Sequence, residues 1–147
     1  MVYLFDTNVF LRLTRRNDPL RHKVLRALQK LRSQNEVLCF TPQVLSEFWN
    51  VCTRPASARG GLDLSTAQTE LKARLILRHF RLLPDNLATF QEWLRLVVAY
   101  SVKGVEVHDA KLVASMNVYG ITRLLTFNTA DFIRYPGIIA ISPADVE

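Results

Sequence analysis

Short, largely apolar runs alternate with amphipathic stretches along this chain of 147 residues. The runs are typical of strands buried on both faces of a sheet, since strands with one solvent-facing side alternate apolar with polar residues. They lie at 2–5, 36–40, 80–84, 122–127 and 138–141. The amphipathic stretches carry apolar residues at helical spacing. They lie at 8–16, after Asp18-Pro19, at 42–54, 65–79, 87–102 and 109–119.

Local signals mark several helix ends. Thr41 followed by Pro42 supplies a capping hydroxyl and then a proline at the first helical position, Ser65 is a second cap, and Gly120 suits a C-terminal cap. The order β-α-α-β-α-α-β-α-α-β-β predicts an α/β protein, a three-layer α/β/α sandwich with a central parallel sheet. No internal repeat, low-complexity stretch or linker divides the chain, so one domain is expected over 1–147.

Composition narrows the class of protein. A hydrophobic share of 49% excludes a disordered chain, and no apolar run reaches the ~18–20 residues of a membrane span. The chain starts on a strand without the features of a signal peptide, so a cytoplasmic location away from membranes is expected. The net charge of +6, mostly from arginine, suits either a solvated basic surface or a polyanionic partner. Cys39 and Cys52, both within apolar stretches, are expected to be buried and reduced.

Four acidic residues lie close to predicted strand ends and helix starts: Asp6, Glu47, Asp109 and Asp131. Strand ends and helix starts meet at one edge of a parallel α/β sheet, so the four carboxylates are expected to converge. Converging carboxylates repel each other unless a hard divalent cation neutralises them. The pattern therefore predicts a Mg²⁺ or Mn²⁺ site, and the basic remainder of the chain suggests a phosphate-rich substrate.

Each acid also has a purely structural explanation. Turns favour Asp6 and Asp131 whatever their function, and Asp109 could cap its helix. Glu47 borders an apolar stripe and could form a salt bridge with Arg54. The presence of all four acids at four element ends favours the metal site over these separate explanations.

The segments that carry the acids also resemble a known family. DTN after the first strand, then PQVLSEFW, HDAKLVA and LLTFNTADF, are similar to motifs of the PIN-domain nucleases, most of all the VapC-type toxins of toxin–antitoxin pairs. The resemblance runs from position 2 to about position 143. It implies a PIN-like fold, Mg²⁺- or Mn²⁺-dependent endoribonuclease activity, a homodimer and a neutralising antitoxin. The acidic quartet of the family falls on Asp6, Glu47, Asp109 and Asp131, and its accompanying polar positions fall on Thr126 and Asn128.

The interpretation is hydrolysis of RNA phosphodiester bonds by a metal-activated water. Asp6 and Asp109 would hold the metal, and Glu47 and Asp131 would complete its shell directly or through water. Asn8 is expected to cap a helix or to bond a ligand. The candidates for gripping the RNA backbone are the basic residues near these acids in sequence, namely Arg12, Arg54, Arg59 and Lys111.

Two other functions remain open. A metal-dependent phosphatase or phosphotransferase also gathers carboxylates at strand ends, but it usually needs a second Asp two residues after the first, where this chain has Asn8. A non-enzymatic RNA-binding module would use the acids as caps and salt bridges and would not need an ion. Base-stacking aromatic residues are not expected, because Trp49, Trp93 and most Phe fall on apolar helix faces predicted to be core.

Overall fold

Five short strands form one sheet at the centre of the computed structural model, which describes residues 1–146. The strands are β1 (Val2–Phe5), β2 (Val37–Phe40), β3 (Arg81–Leu82), β4 (Arg123–Leu125) and β5 (Ile139–Ile141). The helices are α1 (Thr7–Thr14), α2 (Arg21–Ser33), α3 (Pro42–Thr53), α4 (Thr66–His79), α5 (Leu87–Ala99) and α6 (Glu106–Tyr119). Short 3₁₀ helices follow at Thr129–Phe132 and Pro143–Asp145. Glu147, the last residue of the predicted domain, lies outside the described residues.

The strands are ordered β3-β2-β1-β4-β5, and every neighbouring pair is parallel. The chain moves outward from β1 through β2 to β3 and then returns to place β4 on the other side of β1. Because crossovers between parallel strands are right-handed, this reversal puts α1 to α4 on one face of the sheet and α5 with α6 on the other. The packing agrees, since α1 contacts α2 and α3, and α5 contacts α6. The predicted three-layer α/β/α sandwich is confirmed.

The core lies between the sheet and these two helix layers. Leu4 and Phe5 of β1 are fully buried, as expected for a central strand covered on both faces. The Phe10 and Phe80 rings meet edge to face with centroids 4.9 Å apart. Cys39 and Cys52 are buried free thiols, as predicted. Burial raises the pKa of each thiol to about 11, which leaves both as unreactive parts of the core.

Several predicted helix ends are confirmed by their caps. The Thr41 hydroxyl accepts from the Val44 N–H at 3.4 Å, and the Ser65 hydroxyl accepts from the Gln68 N–H at 3.0 Å. Gly120 ends α6 in the left-handed region at φ +68°. Within residues 1–146, no helix is both long and apolar enough to cross a bilayer.

Other predicted helix bounds were wrong, and two of them affect the candidate site. Helix α1 begins at Thr7 with Asp6 as its N-cap, so Asn8 is inside the helix and does not cap it. Helix α6 begins at Glu106, three residues before the predicted start, so Asp109 lies in its first turn and does not cap it. The first N–H groups of α6 bond the carbonyls of the preceding turn, which takes the place of a side-chain cap. Helix α5 ends at Ala99 instead of continuing to 102.

Candidate active site

The site forms at the carboxyl edge of the sheet, where β1 and β4 lie side by side. The connections after these two strands leave in opposite directions, and ligands of open α/β sheets bind in the crevice at such a switch point. Asp6 follows β1, and its N–H donates to the Leu125 carbonyl of β4 at 3.0 Å. Thr126 follows β4. The two strand ends therefore place a carboxylate and a hydroxyl together in the crevice.

Asp6 is the most buried acid of the site, with 8% of its surface exposed. Its Oδ1 accepts from the Thr7 N–H at 2.7 Å, and its Oδ2 accepts from the Thr126 hydroxyl at 2.8 Å. Burial raises the pKa of Asp6, these hydrogen bonds oppose the rise, and the charges of Glu47 and Asp131 add to it. The carboxylate is thus held in one orientation and is surrounded by like charge.

Asn8 and Thr126 fasten the turn after β4 to the start of α1. The Asn8 side-chain amide donates to Asp6 Oδ2 at 3.3 Å and to the Thr126 hydroxyl at 3.2 Å, and it accepts from the Phe127 N–H at 3.1 Å. The Asn128 N–H donates to the Thr126 hydroxyl at 3.0 Å, while the Asn128 residue itself is exposed. Two of the three predicted polar positions, Asn8 and Thr126, therefore position Asp6, and the third, Asn128, takes part through its backbone.

Glu47 lies in the second turn of α3, partly buried. Its Oε2 accepts from the Thr7 hydroxyl at 2.7 Å, and its Oε1 accepts from the Gln43 side-chain amide at 2.9 Å. The same Gln43 amide donates to the His108 carbonyl at 2.9 Å, so one side chain ties α3 to the first turn of α6. The salt bridge considered with Arg54 does not form, because the Arg54 guanidinium donates to a backbone carbonyl of its own loop. Glu47 is therefore oriented by a hydroxyl and an amide, both neutral groups.

Asp109 and Asp131 complete the acidic group. Asp109 lies half-buried in the first turn of α6, and Asp131 is exposed in the 3₁₀ helix after β4. Burial and the charges of Asp6, Asp131, Glu47 and Glu106 raise the pKa of Asp109 to about 6. All four predicted acids therefore act electrostatically on one region. The cleft in front of Asp109 measures about 380 Å³ and is lined by Val105, Glu106, Asp109, Ala130, Asp131, Arg134 and Tyr135.

Two residues of this cleft were missed from the sequence. Arg134 Nη2 donates to Glu106 Oε2 at 2.6 Å across the cleft that Asp109 and Asp131 line. A faint signal existed in the spacing, because Glu106 lies three residues before Asp109 and Arg134 lies three residues after Asp131. Arg134 brings a cation directly to the acidic group.

The basic residues predicted to grip RNA lie outside the lining of this cleft. Arg12 is 3.2 Å from the Asp18 carboxylate, and its guanidinium lies 5.0 Å from the centroid of the Phe127 ring. Lys111 Nζ is 3.6 Å from an Asp85 carboxylate oxygen. The two remaining candidates, Arg54 and Arg59, lie in the loop after α3. The Arg54 guanidinium donates to the Arg59 carbonyl at 3.2 Å.

The donor set of the site fits a hydrated hard cation. Within residues 1–146, no three Asp, Glu, His or Cys side chains come close enough to hold one ion together. Mg²⁺ needs less than that, since it binds one or two carboxylates and keeps several waters. Asp6 and Asp109 can supply those carboxylates. Gln43, whose amide donates to Glu47, has its Oε1 buried without a hydrogen-bond partner in the described part of the chain, so this oxygen can accept from a water.

The chain is similar to known proteins in sequence pattern and in fold. The family model described as PIN domain matches residues 3–138. VapBC2 from Rickettsia felis, bound to a promoter DNA fragment, shares 17% identity at a TM-score of 0.72, over 97% of this chain and 98% of that chain. A toxin–antitoxin complex from Klebsiella pneumoniae shares 20% identity at a TM-score of 0.66, over 96% and 97%.

A third structure is that of an RNA-directed toxin. VapC20 of Mycobacterium tuberculosis, which cleaves the sarcin-ricin loop, shares 18% identity with this chain at a TM-score of 0.65. The match covers 88% of this chain and 92% of that chain. No curated protein sequence matches the chain. At these identities the structural likeness shows the fold alone.

Proposed function

This chain belongs to the PIN-domain family, and from that premise we propose that it is a metal-dependent endoribonuclease, the toxin of a toxin–antitoxin pair. The observation that carries the proposal is the electrostatic state of Asp109. Burial, together with the charges of the neighbouring acids, raises its pKa to about 6, so the folded chain maintains carboxylates that repel one another. Such an arrangement is costly without a cation, and strongly perturbed acids in a cleft are typical of functional sites.

The side chains of the site have separate tasks in this proposal. A bound Mg²⁺ or Mn²⁺ ion supplies an activated water and neutralises charge on the phosphate. Asp6 and Asp109 hold the ion, and the Thr7 N–H and Thr126 hydroxyl fix the orientation of Asp6. Glu47, oriented by a hydroxyl and an amide, would complete the shell of the ion directly or through water. Because Asp131 is exposed, it acts through water.

RNA contacts are proposed to centre on Arg134. It is the cation that lines the acidic cleft, and its bond to Glu106 holds the guanidinium beside Asp109. A phosphate entering the cleft can replace the Glu106 carboxylate as its partner, because guanidinium groups bind carboxylates and phosphates in the same geometry. Further contacts along the backbone are proposed for the four basic residues predicted from sequence, Arg12, Arg54, Arg59 and Lys111.

The proposed partners follow from the same assignment. The fold of this chain is shared with the toxin–antitoxin complex of Klebsiella pneumoniae over nearly its whole length. We therefore propose an antitoxin that blocks the acidic cleft, a homodimer, and a cytoplasmic location where RNA and antitoxin are both present. One nuclease domain is proposed over 1–147.

The two alternative functions have less support. The position where a phosphatase needs its second Asp holds Asn8, and its amide is engaged by Asp6 and Thr126. A binding module would use the acids as caps and in salt bridges. In the described part of the chain Asp6 caps a helix, whereas Glu47 bonds neutral groups and Asp109 lies beyond the cap position.

Cleavage of total RNA tests the proposed function. Protein freed of metal with a chelator is incubated with total RNA alone, with Mg²⁺ and with Mn²⁺, and the cut ends are mapped by sequencing. We expect discrete cuts that appear only with added metal and disappear in Asp6→Ala. Asp63→Asn, a change of an exposed loop acid, is the control and should cut as the unchanged protein does. Equal cutting by Asp6→Ala, or cutting that persists in the chelator, overturns the proposal.

A further inference from the structure

A second pocket lies beside the acidic cleft, on the opposite side of the first turn of α6. It measures about 370 Å³, and Val107, His108 and Lys111 form its α6 wall, whereas Glu106 and Asp109 face the cleft. An α-helix with its side chains is only about 10–12 Å across, so the two sites are close neighbours. The Gln43 amide, which bonds both Glu47 and the His108 carbonyl, fastens this wall to the acidic group.

Two aromatic side chains of α5 form the opposite wall. The Phe90 and Trp93 rings have centroids 6.1 Å apart and planes inclined at 34°. The indole N–H of Trp93 donates to the Val107 carbonyl at 3.0 Å, which fixes that ring against α6. Phe90 is 55% exposed, so it is an exception to the expectation that most Phe belong to the core. An exposed ring beside a fixed indole offers a flat face to a planar ligand.

The rim of the pocket suits a nucleic acid. Lys111 lies at the rim and pairs with Asp85. The two side chains are 44% and 40% exposed, so this ion pair is weak, and a phosphate can replace Asp85 as the partner of Lys111. His108 is exposed at the same rim. The volume lies at the lower end of the range of about 300–1,000 Å³ for small-ligand sites, which suits one nucleotide and excludes a folded domain.

We propose that this pocket binds one unpaired base of the RNA while a neighbouring phosphodiester lies in the acidic cleft. Phe90 stacks on the base, Trp93 lies beside Phe90 in the same wall, and Lys111 contacts the adjoining phosphate. The proposal rests on the proposed RNA cleavage and adds a requirement to it. Bases inside a duplex are stacked and out of reach of such a pocket, so the substrate presents a single-stranded or looped nucleotide next to the cut.

Fluorescence of Trp93 tests the pocket without relying on cleavage. The chain has two tryptophans, so Trp49→Phe leaves Trp93 as the one reporter, and Asp6→Asn keeps the RNA intact. A short unstructured ribo-oligonucleotide should quench this fluorescence to saturation, whereas the same sequence in a duplex should not. Phe90→Ala should weaken binding by about tenfold, within the range for removing a stacking aromatic side chain.

Matched variants separate stacking from a general loss of structure. Leu94→Ala removes an exposed apolar side chain one turn further along α5, outside the pocket lining, and should bind as the parent does. Phe90→Tyr keeps a flat ring and should also retain binding. Circular dichroism confirms the fold of each variant.

The outcomes distinguish the pocket from the proposed function. Saturable quenching that depends on Phe90 supports the pocket even if the unchanged protein cuts no RNA, in which case the cleavage proposal fails alone. If the unchanged protein cuts RNA but Phe90→Ala binds and cuts as it does, the pocket proposal is overturned and cleavage stands. Equal quenching by single strands and duplexes also overturns it. Binding of a peptide with no response to RNA would assign the pocket to a protein partner and overturn it equally.

Discussion

Asp109→Asn should stabilise the metal-free protein at neutral pH. Burial and neighbouring acids raise the pKa of Asp109 from 3.8 to about 6 in the folded chain. Below the unfolded value the carboxyl is protonated in both states and costs nothing. As the pH rises through about 6, the folded chain must ionise Asp109, which the unfolded chain ionises more easily. The stability that the protonated Asp109 gives the folded chain at low pH is therefore lost. Asparagine cannot ionise and avoids the loss.

The expected size follows from the shift and the exposure. A shift of about two pKa units corresponds to about 3 kcal/mol at most. Asp109 is only half-buried, so solvent screening reduces this to roughly 1–2 kcal/mol. The variant also loses a favourable charge near the helix N-terminus, at about 0.3–1 kcal/mol. The relief of repulsion is the larger effect, so the free energy of unfolding should increase by about 1 kcal/mol. This corresponds to a rise in Tm of about 2–4 °C for a chain of this size.

Thermal unfolding in the presence of a chelator measures this gain. Asp109→Asn and the unchanged protein are melted at neutral pH and near pH 4, with Asp63→Asn as the control. Asp63 is exposed in a loop at φ +52°, a conformation that Asn adopts as readily as Asp. The gain should be present at neutral pH and absent or reversed near pH 4. A change in Tm that is the same at both pH values would refute the repulsion between acids.

Three further outcomes are expected. Mg²⁺ or Mn²⁺ should raise the Tm of the unchanged protein and leave the Tm of the double variant Asp6→Asn/Asp109→Asn unaltered, as measured by thermal shift at increasing metal concentration. An equal rise in the two proteins would exclude Asp6 and Asp109 as metal ligands. Thr7→Val removes the hydroxyl that orients Glu47 and should lower the cleavage rate by about tenfold, while Thr7→Ser should restore it; a full rate in Thr7→Val would remove that orienting role. Expression of the chain alone should arrest bacterial growth, and a small neighbouring open reading frame should rescue it; unimpaired growth with abundant folded protein would count against the toxin assignment.

The acidic site was predictable because it depends on chain connectivity. Strand β1 is a continuous apolar run, so the position of Asp6 at its carboxyl end follows from the sequence. The same holds for Asp131 in the turn after β4, whereas Thr126 lay inside the predicted strand at 122–127 and was identified only through the family resemblance. Parallel strands bring their carboxyl ends to one edge whatever the details of packing. The convergence of acids on Asp109 could therefore be predicted without side-chain contacts.

The partners of the acids were not predictable from spacing. The Thr7 hydroxyl reaches Glu47 over 40 positions in sequence, and the Gln43 amide reaches the His108 carbonyl over 65. Such contacts depend on how α1, α3 and α6 pack, which a single sequence does not encode as a pattern. Gln43 gave a local hint, since it lies one turn before Glu47 on the same face of α3.

The face of α5 was also ambiguous in the sequence. Leu96 of this helix is buried, while Phe90, Leu94 and Val98 are exposed on another side. Both sides carry apolar residues at helical spacing, so the periodicity alone cannot say which side packs against the sheet.

The start of α6 was placed too late because Asp109 resembles a cap, whereas backbone bonds of the preceding turn provide the cap three residues earlier.

The rate of RNA cleavage as a function of Mn²⁺ concentration decides whether the acidic group holds a catalytic metal. A mapped RNA substrate is incubated under single-turnover conditions with chelator-treated protein, with Asp6→Asn and with the control Asp63→Asn. We expect a rate near zero without metal and a saturable rise for the unchanged and control proteins. For Asp6→Asn we expect a rate lower by orders of magnitude at every concentration. A metal-independent rate, or an Asp6→Asn rate equal to that of the unchanged protein, would contradict the assignment of the acidic group as the catalytic site.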